Sequence, residues 1–131
     1  MKFTELSIGN LVYYNGNAIK VESITKRKFG YHLKPNESCM HYARISEILP
    51  IPITEEILQK NGFAIKKNID FTLCEINPND GHVVDVTFSM GCIDVFIRYI
   101  YGRCYLRTIK YLHELQNIVR AITSKELEIK L

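Results

Sequence analysis

Between residues 95 and 111 the chain carries Arg98, Arg103, Arg107 and Lys110 and no carboxylate. Tyr99, Tyr101, Tyr105 and Tyr111 are interleaved with them. Arginine neutralises phosphate and a tyrosine ring stacks on a base, so this spacing has the chemistry of a platform for single-stranded nucleic acid. On a straight strand Tyr99, Tyr101, Arg103, Tyr105 and Arg107 share one face. A turn at Gly102 would break that stripe. The blander reading is a hairpin whose tyrosines cover the sheet while the arginines stay in water, and it is the favoured one.

A second set of polar groups lies on a helix. Leu112, Leu115, Val119 and Ile122 recur at helical spacing, widened by Tyr111 and Ile118 into an apolar arc of about 120°. Thr108 is the expected N-cap, giving a helix over Thr108–Thr123. Opposite the arc stand His113, Gln116, Asn117 and Arg120, with no acid among them. A solvated face normally carries more Lys and Glu. These four are the candidate surface for a protein partner, against the plainer reading of a satisfied polar surface with His113 bonded to a loop.

Other chemistry finds no complete motif. His113-Glu114 lacks the second histidine that a zinc protease needs one turn on, because position 117 is Asn. Cys39 and His41, with His32 nearby, lack a paired knuckle, so buried reduced cysteines are expected in place of a zinc site. Glu75–Gly81 has its glycine misplaced for a calcium loop and reads as a hairpin turn. There is no phosphate-cradling glycine loop and no Gly-x-Ser-x-Gly. No catalytic residue, metal ligand or cofactor is therefore assigned, and the expectation is a protein that is not an enzyme.

The composition bounds these readings. The chain has 131 residues, 47% hydrophobic and 24% charged, enough for a real core. Net charge is +3, too small by itself to argue for nucleic acid, but the whole excess lies in residues 1–50. The opening residues hold no signal-like apolar run, and no stretch is long and apolar enough to span a membrane. With four cysteines lacking close pairing, a cytoplasmic location and no membrane partner are expected.

The positioning elements are mostly strands. Residues 1–49 read as a small β-unit, SH3-like or a curled sheet. Asn15-Gly16 is its hairpin turn, between Leu11–Tyr14 and Ala18–Ile24. Lys26-Arg27-Lys28 is an exposed turn, and Phe29–Lys34 and Cys39–Ile45 are further strands broken at Pro35–Ser38. Leu49-Pro-Ile-Pro-Ile53 is a stiff connector and the candidate boundary. Residues 50–131 then form an α+β unit, sharing one core or standing alone. Thr54 caps a short helix that Gly62 ends. Strands follow over Phe63–Lys67, Ile69–Ile76, Val83–Met90, Cys92–Ile100 and Cys104–Arg107, with a turn at Asn77–Gly81. The long helix covers this antiparallel sheet, and Glu126–Leu131 alternates like a last strand.

Three blocks carry a resemblance. They are Ile8-Gly-Asn-Leu-Val12, Pro52-Ile-Thr-Glu-Glu-Ile-Leu58 with Gly62-Phe63, and Tyr111-Leu-His-Glu-Leu-Gln-Asn117 with Ala121-Ile-Thr123. The pattern resembles a family of small proteins of gut anaerobic bacteria, often encoded in prophages or mobile elements. Its members usually carry glycine after the helix, where this chain has Ser124. The resemblance implies a genetic setting and no mechanism. The expected function is a non-enzymatic binding or accessory protein of such an element, holding an unknown protein partner through the helix face or an exposed sheet edge. The alternative is a nucleic-acid-binding module working through the tyrosine–arginine strand.

Overall fold

Asn15 and Gly16 both take positive φ, 50° and 78°. That is the type I′ geometry the sequence predicts, and it joins β1 (Leu11–Tyr14) to β2 (Asn17–Lys20) as an antiparallel pair. The structure is a computed structural model that describes residues 5–34, 36–79 and 81–131, with 78 and 79 described by backbone alone. Pro35 and Asp80, within the expected break at Pro35–Ser38 and turn at Asn77–Gly81, lie outside the described residues.

The single strand expected over Ala18–Ile24 is two. After β2 the chain bends, and β3 (Ser23–Thr25) pairs with β4 (Lys28–Tyr31), which pairs with β5 (His41–Arg44). The bend keeps its backbone satisfied: Val21 N donates to Asn10 O at 2.8 Å and Glu22 N to Gly30 O at 2.8 Å. One core gathers here, from Val12, Ile19, Val21, Phe29, Tyr31, Ala43 and Ile48.

The Pro-rich connector is extended, as its prolines require, and it is paired on both sides. Leu49 bridges Tyr13, and Pro52 bridges Tyr111. Ile51 and Ile53 are buried. Thr54 Oγ1 accepts from Ile57 N at 3.2 Å and caps α1 (Glu55–Lys60). Gly62, at φ 91°, turns the chain out of it.

Strands β6 (Ala64–Lys67), β7 (Thr72–Asn79), β8 (His82–Ser89), β9 (Cys92–Tyr99) and β10 (Gly102–Ile109) form an antiparallel meander, in sheet order β10-β9-β8-β7-β6. The α+β class is as the sequence predicts. Cys74, Val84, Val86, Val95 and Ile109 build a second core with Leu112, Leu115 and Val119 of α2 (Leu112–Thr123). Leu11 and Tyr13 of β1 pack on this core while Val12 faces the first. The two cores therefore share β1.

Two further expectations are corrected. The helix begins four residues after Thr108, which is in β10 with its hydroxyl bonded to Asp94 across the sheet. Glu114 does the capping instead, its Oε1 accepting from Tyr111 N at 3.0 Å and Lys110 N at 3.1 Å. Residues 126–131 belong to no strand. Leu127 and Ile129 are buried, as their alternation predicts, yet side chains hold the backbone: Asn61 donates to Lys130 O at 2.9 Å and accepts from Lys130 N at 2.7 Å. Ser124, where the resemblance has glycine, takes the left-handed conformation at φ 59° that glycine adopts without strain.

Candidate binding surfaces

The polar face of α2 is turned inward. Gln116 is 2% exposed, its Oε1 accepting from Leu11 N at 2.9 Å and its Nε2 donating to Leu127 O at 3.0 Å. Asn117 Oδ1 accepts from Asn10 Nδ2 at 2.8 Å, and its Nδ2 donates to Glu5 O. Arg120 donates to Ile8 O at 2.8 Å and lies 3.4 Å from Glu126. A primary amide both donates and accepts, so Gln116 stands between β1 and the C-terminal segment as a strand would. Sequence reasoning brought the four residues together correctly on one face. It did not see that residues 5–11 and 126–130 close over them.

His113 is buried too, its ring stacked on Tyr111 at 6.0 Å between centroids. Burial pushes its pKa below the ordinary 6.5, and Arg107 adds to this, while Glu114 and Glu5 pull the other way. The unfolded chain then binds the proton more readily than the folded one. Stability is complete above the unfolded pKa and declines as pH falls through about 6.5, by at most about 1.4 kcal/mol per pH unit. In urea melts between about pH 7.5 and 5.5, His113→Leu should remove that part of the decline. Equal slopes for both proteins would refute the assignment.

The tyrosine–arginine stripe is not one surface. The register of β10 against β9 slips between Tyr105 and Arg107, so Leu106 is an extra residue and Arg107 lands on the helix side. Tyr99 faces away from Arg98 by strand alternation, and Tyr101 sits in the hairpin tip. Arg98, Arg103 and Tyr105 remain together on the sheet face away from α2. The arginines also have carboxylates, which come from outside the window. Arg98 pairs with Glu75 and, at 3.2 Å, with Asp85. Arg103 lies 3.6 Å from Asp85 and 3.7 Å above the Phe96 ring, against which Tyr105 packs edge-on. Arg107 pairs with Glu5 at 3.0 Å and Glu114 at 2.9 Å. Asp85 is only 2% exposed on an otherwise open sheet face, because the two arginines lie over it. Lys66, at 2.6 Å, and Arg98 hold the Glu75 carboxyl below the usual range.

The cysteines need a correction. Only Cys74 is buried, and burial pushes its thiol up to about 11; Cys39, Cys92 and Cys104 are exposed, and all four are free. Cys39 lies in a bend, Cys92 is the first residue of β9, and Cys104 is on the edge strand β10, so none of the three is covered. His32 is bonded to Glu22 and His41 to Glu37, at 2.8 Å for the second. Among the described residues no three metal-binding side chains converge. No helix is long and apolar enough to cross a membrane.

Exposed apolar side chains stand at both ends of the sheet: Ile100 and Tyr101, 90% and 92% exposed, in the β9–β10 turn, and a second pair at the other end. Ile69 is 99% exposed in the β6–β7 loop and Met90 97% exposed in the β8–β9 turn. These loops lie at the same end of the sheet, tied by Ser89 Oγ to Asp70 O at 3.3 Å. With Phe71 and Phe88 they line a shallow depression of about 480 Å³. Met90 and Gly91 repeat the type I′ conformation of Asn15-Gly16, at φ 49° and 77°. That first position favours Asn, Asp or Gly, and a long apolar side chain there is both strained and exposed. The sequence signal was available: Met-Gly stands where Asn-Gly belongs between two β-branched strands. No family model, curated protein or solved structure matches the chain.

Proposed function

We propose that this chain is a non-enzymatic binding protein, working in the cytoplasm for a phage or mobile element, that holds an apolar segment of a protein partner at the Ile69–Met90 end of its sheet. The observation that carries the reading is Met90. The fold is better served there by Asn, so the methionine is a cost with no return inside the chain. Beside Ile69 and Phe71 it makes a contiguous apolar patch with polar neighbours Asn68, Asp70 and Ser89, the make-up of a protein-binding surface. Methionine is also pliable and suits an irregular apolar partner. The genetic setting rests on the resemblance of the three sequence blocks alone.

The two roles of Met90 separate in one experiment. Met90→Asn should raise stability by about 0.5–1 kcal/mol, from relief of the left-handed methionine. A photo-crosslinker at Ile69 should give one discrete adduct in host cells, and Met90→Asn should abolish it. A crosslinker at the exposed Gln59 should not give that adduct. An adduct that survives Met90→Asn, or one shared by both positions, would sink the proposal.

A further inference from the structure

The charge excess of the first fifty residues collects at one place. The β3–β4 turn carries Lys26 and Arg27, β4 starts at Lys28, and β5 ends at Arg44. Lys28 and Arg44 are direct cross-strand partners, and Ile45 N donates to Arg27 O at 2.8 Å, so all four cations share one corner of the three-stranded sheet. All are exposed. Among the described residues no carboxylate lies within ion-pair distance of any of them.

The contrast with the other cross-strand cation pair is instructive. Arg98 and Arg103 also sit directly opposite each other, and Asp85 lies beneath both. Like charges opposed across strands repel, and there the chain supplies the neutralising group itself. At Lys28 and Arg44 it supplies none, and the repulsion is left for an anion to relieve.

An aromatic ring lies on the same face. Strand alternation puts Phe29, Tyr31 and Ala43 into the core and leaves Lys28, Tyr42 and Arg44 outward. Tyr42 is 60% exposed; its cross-strand neighbour is Gly30, over which the Ser23 and Met40 side chains lie, so the ring is open on its Arg44 side and away from the sheet. A flat ring beside a line of unpaired cations fits a base and its flanking phosphates. We propose that the Lys28–Tyr42–Arg44 face, extended by Lys26 and Arg27, binds single-stranded nucleic acid. A duplex offers phosphates but no free base face, so Tyr42 sets the preference. This site is independent of the apolar sheet end, and the two together would make the chain an adaptor.

The test is fluorescence anisotropy with labelled oligothymidylate of about 15 nucleotides, a duplex of equal length, and polyglutamate as competitor, across a salt series. The single strand should bind at low salt and better than the duplex, with polyglutamate a poor competitor. Tyr42→Ala should weaken binding about 5- to 100-fold with little change in salt slope. Lys28→Gln and Arg44→Gln should each lower the slope by about 0.7, the increment for one single-strand phosphate left unneutralised. Arg103→Gln, whose charge Asp85 already engages, should change neither quantity. Thermal melts followed by circular dichroism confirm that each exposed-site variant is folded. No binding at low salt, equal binding of the duplex, effective competition by polyglutamate, or a folded Tyr42→Ala that binds normally would each overturn the proposal.

Discussion

Replacing Gln116 with leucine should destabilise the protein by about 3 kcal/mol, although the side chain keeps roughly its volume and stays buried. The amide holds Leu11 N at 2.9 Å and Leu127 O at 3.0 Å, and among the described residues no other group is bonded to either. Leucine leaves both main-chain groups desolvated and unpaired, at about 1–3 kcal/mol each, partly offset if water reaches the C-terminal segment. Gln116→Glu should be at least as harmful at neutral pH. The carboxylate still accepts from Leu11 but faces the Leu127 carbonyl with no proton to give, and should recover in part once protonated. Urea denaturation gives the free energy, and hydrogen exchange at Leu11 gives the location. A loss under about 1 kcal/mol, or unchanged protection at Leu11, would show that Gln116 is not the clasp between β1 and the C-terminal segment.

That clasp marks the limit of what the sequence could disclose. Local periodicity was enough to find α2, because Leu112, Leu115 and Val119 bury one side of a helix whatever they bury it against. The same holds for Asn15-Gly16, for Thr54 at the cap of α1 and for Gly62 after it, where one or two residues decide the backbone. Failures came where a partner lies far along the chain. Thr108 looks like a helix cap until Asp94 is brought beside it by the β9–β10 register. The arginines at 98, 103 and 107 look unneutralised until Glu75, Asp85, Glu5 and Glu114 are placed around them. His113, Gln116, Asn117 and Arg120 look like a recognition face because their partners, residues 5–11 and 127, lie at the other end of the chain or beyond a turn. The missed surface features, Met90 and Tyr42, were local and legible: one is a poor residue for its turn, the other an aromatic on the outer parity of a strand with Lys and Arg about it.

Phe29→Ala should be the most damaging single substitution, at about 3–5 kcal/mol. Phe29 is fully buried, packed edge-on to Tyr14 at 5.8 Å and stacked with Tyr31 at 5.6 Å. Few residues are available to collapse into the space, since among the described residues this core has seven buried members, two of them Val and one Ala. How the loss spreads decides whether residues 1–49 fold apart from 50–131. Val12 is in the first core and its neighbours Leu11 and Tyr13 lie on the second. The connector is bridged to both Tyr13 and Tyr111. Melting the first core therefore strips β1 and the Gln116 clasp from the second. Hydrogen exchange in the variant should show protection falling together in residues 28–44 and 84–97, with one unfolding transition. If residues 84–97 kept their wild-type protection while 28–44 exchanged freely, the two regions would be separate folding units, and β1 would be a contact between them rather than a shared strand.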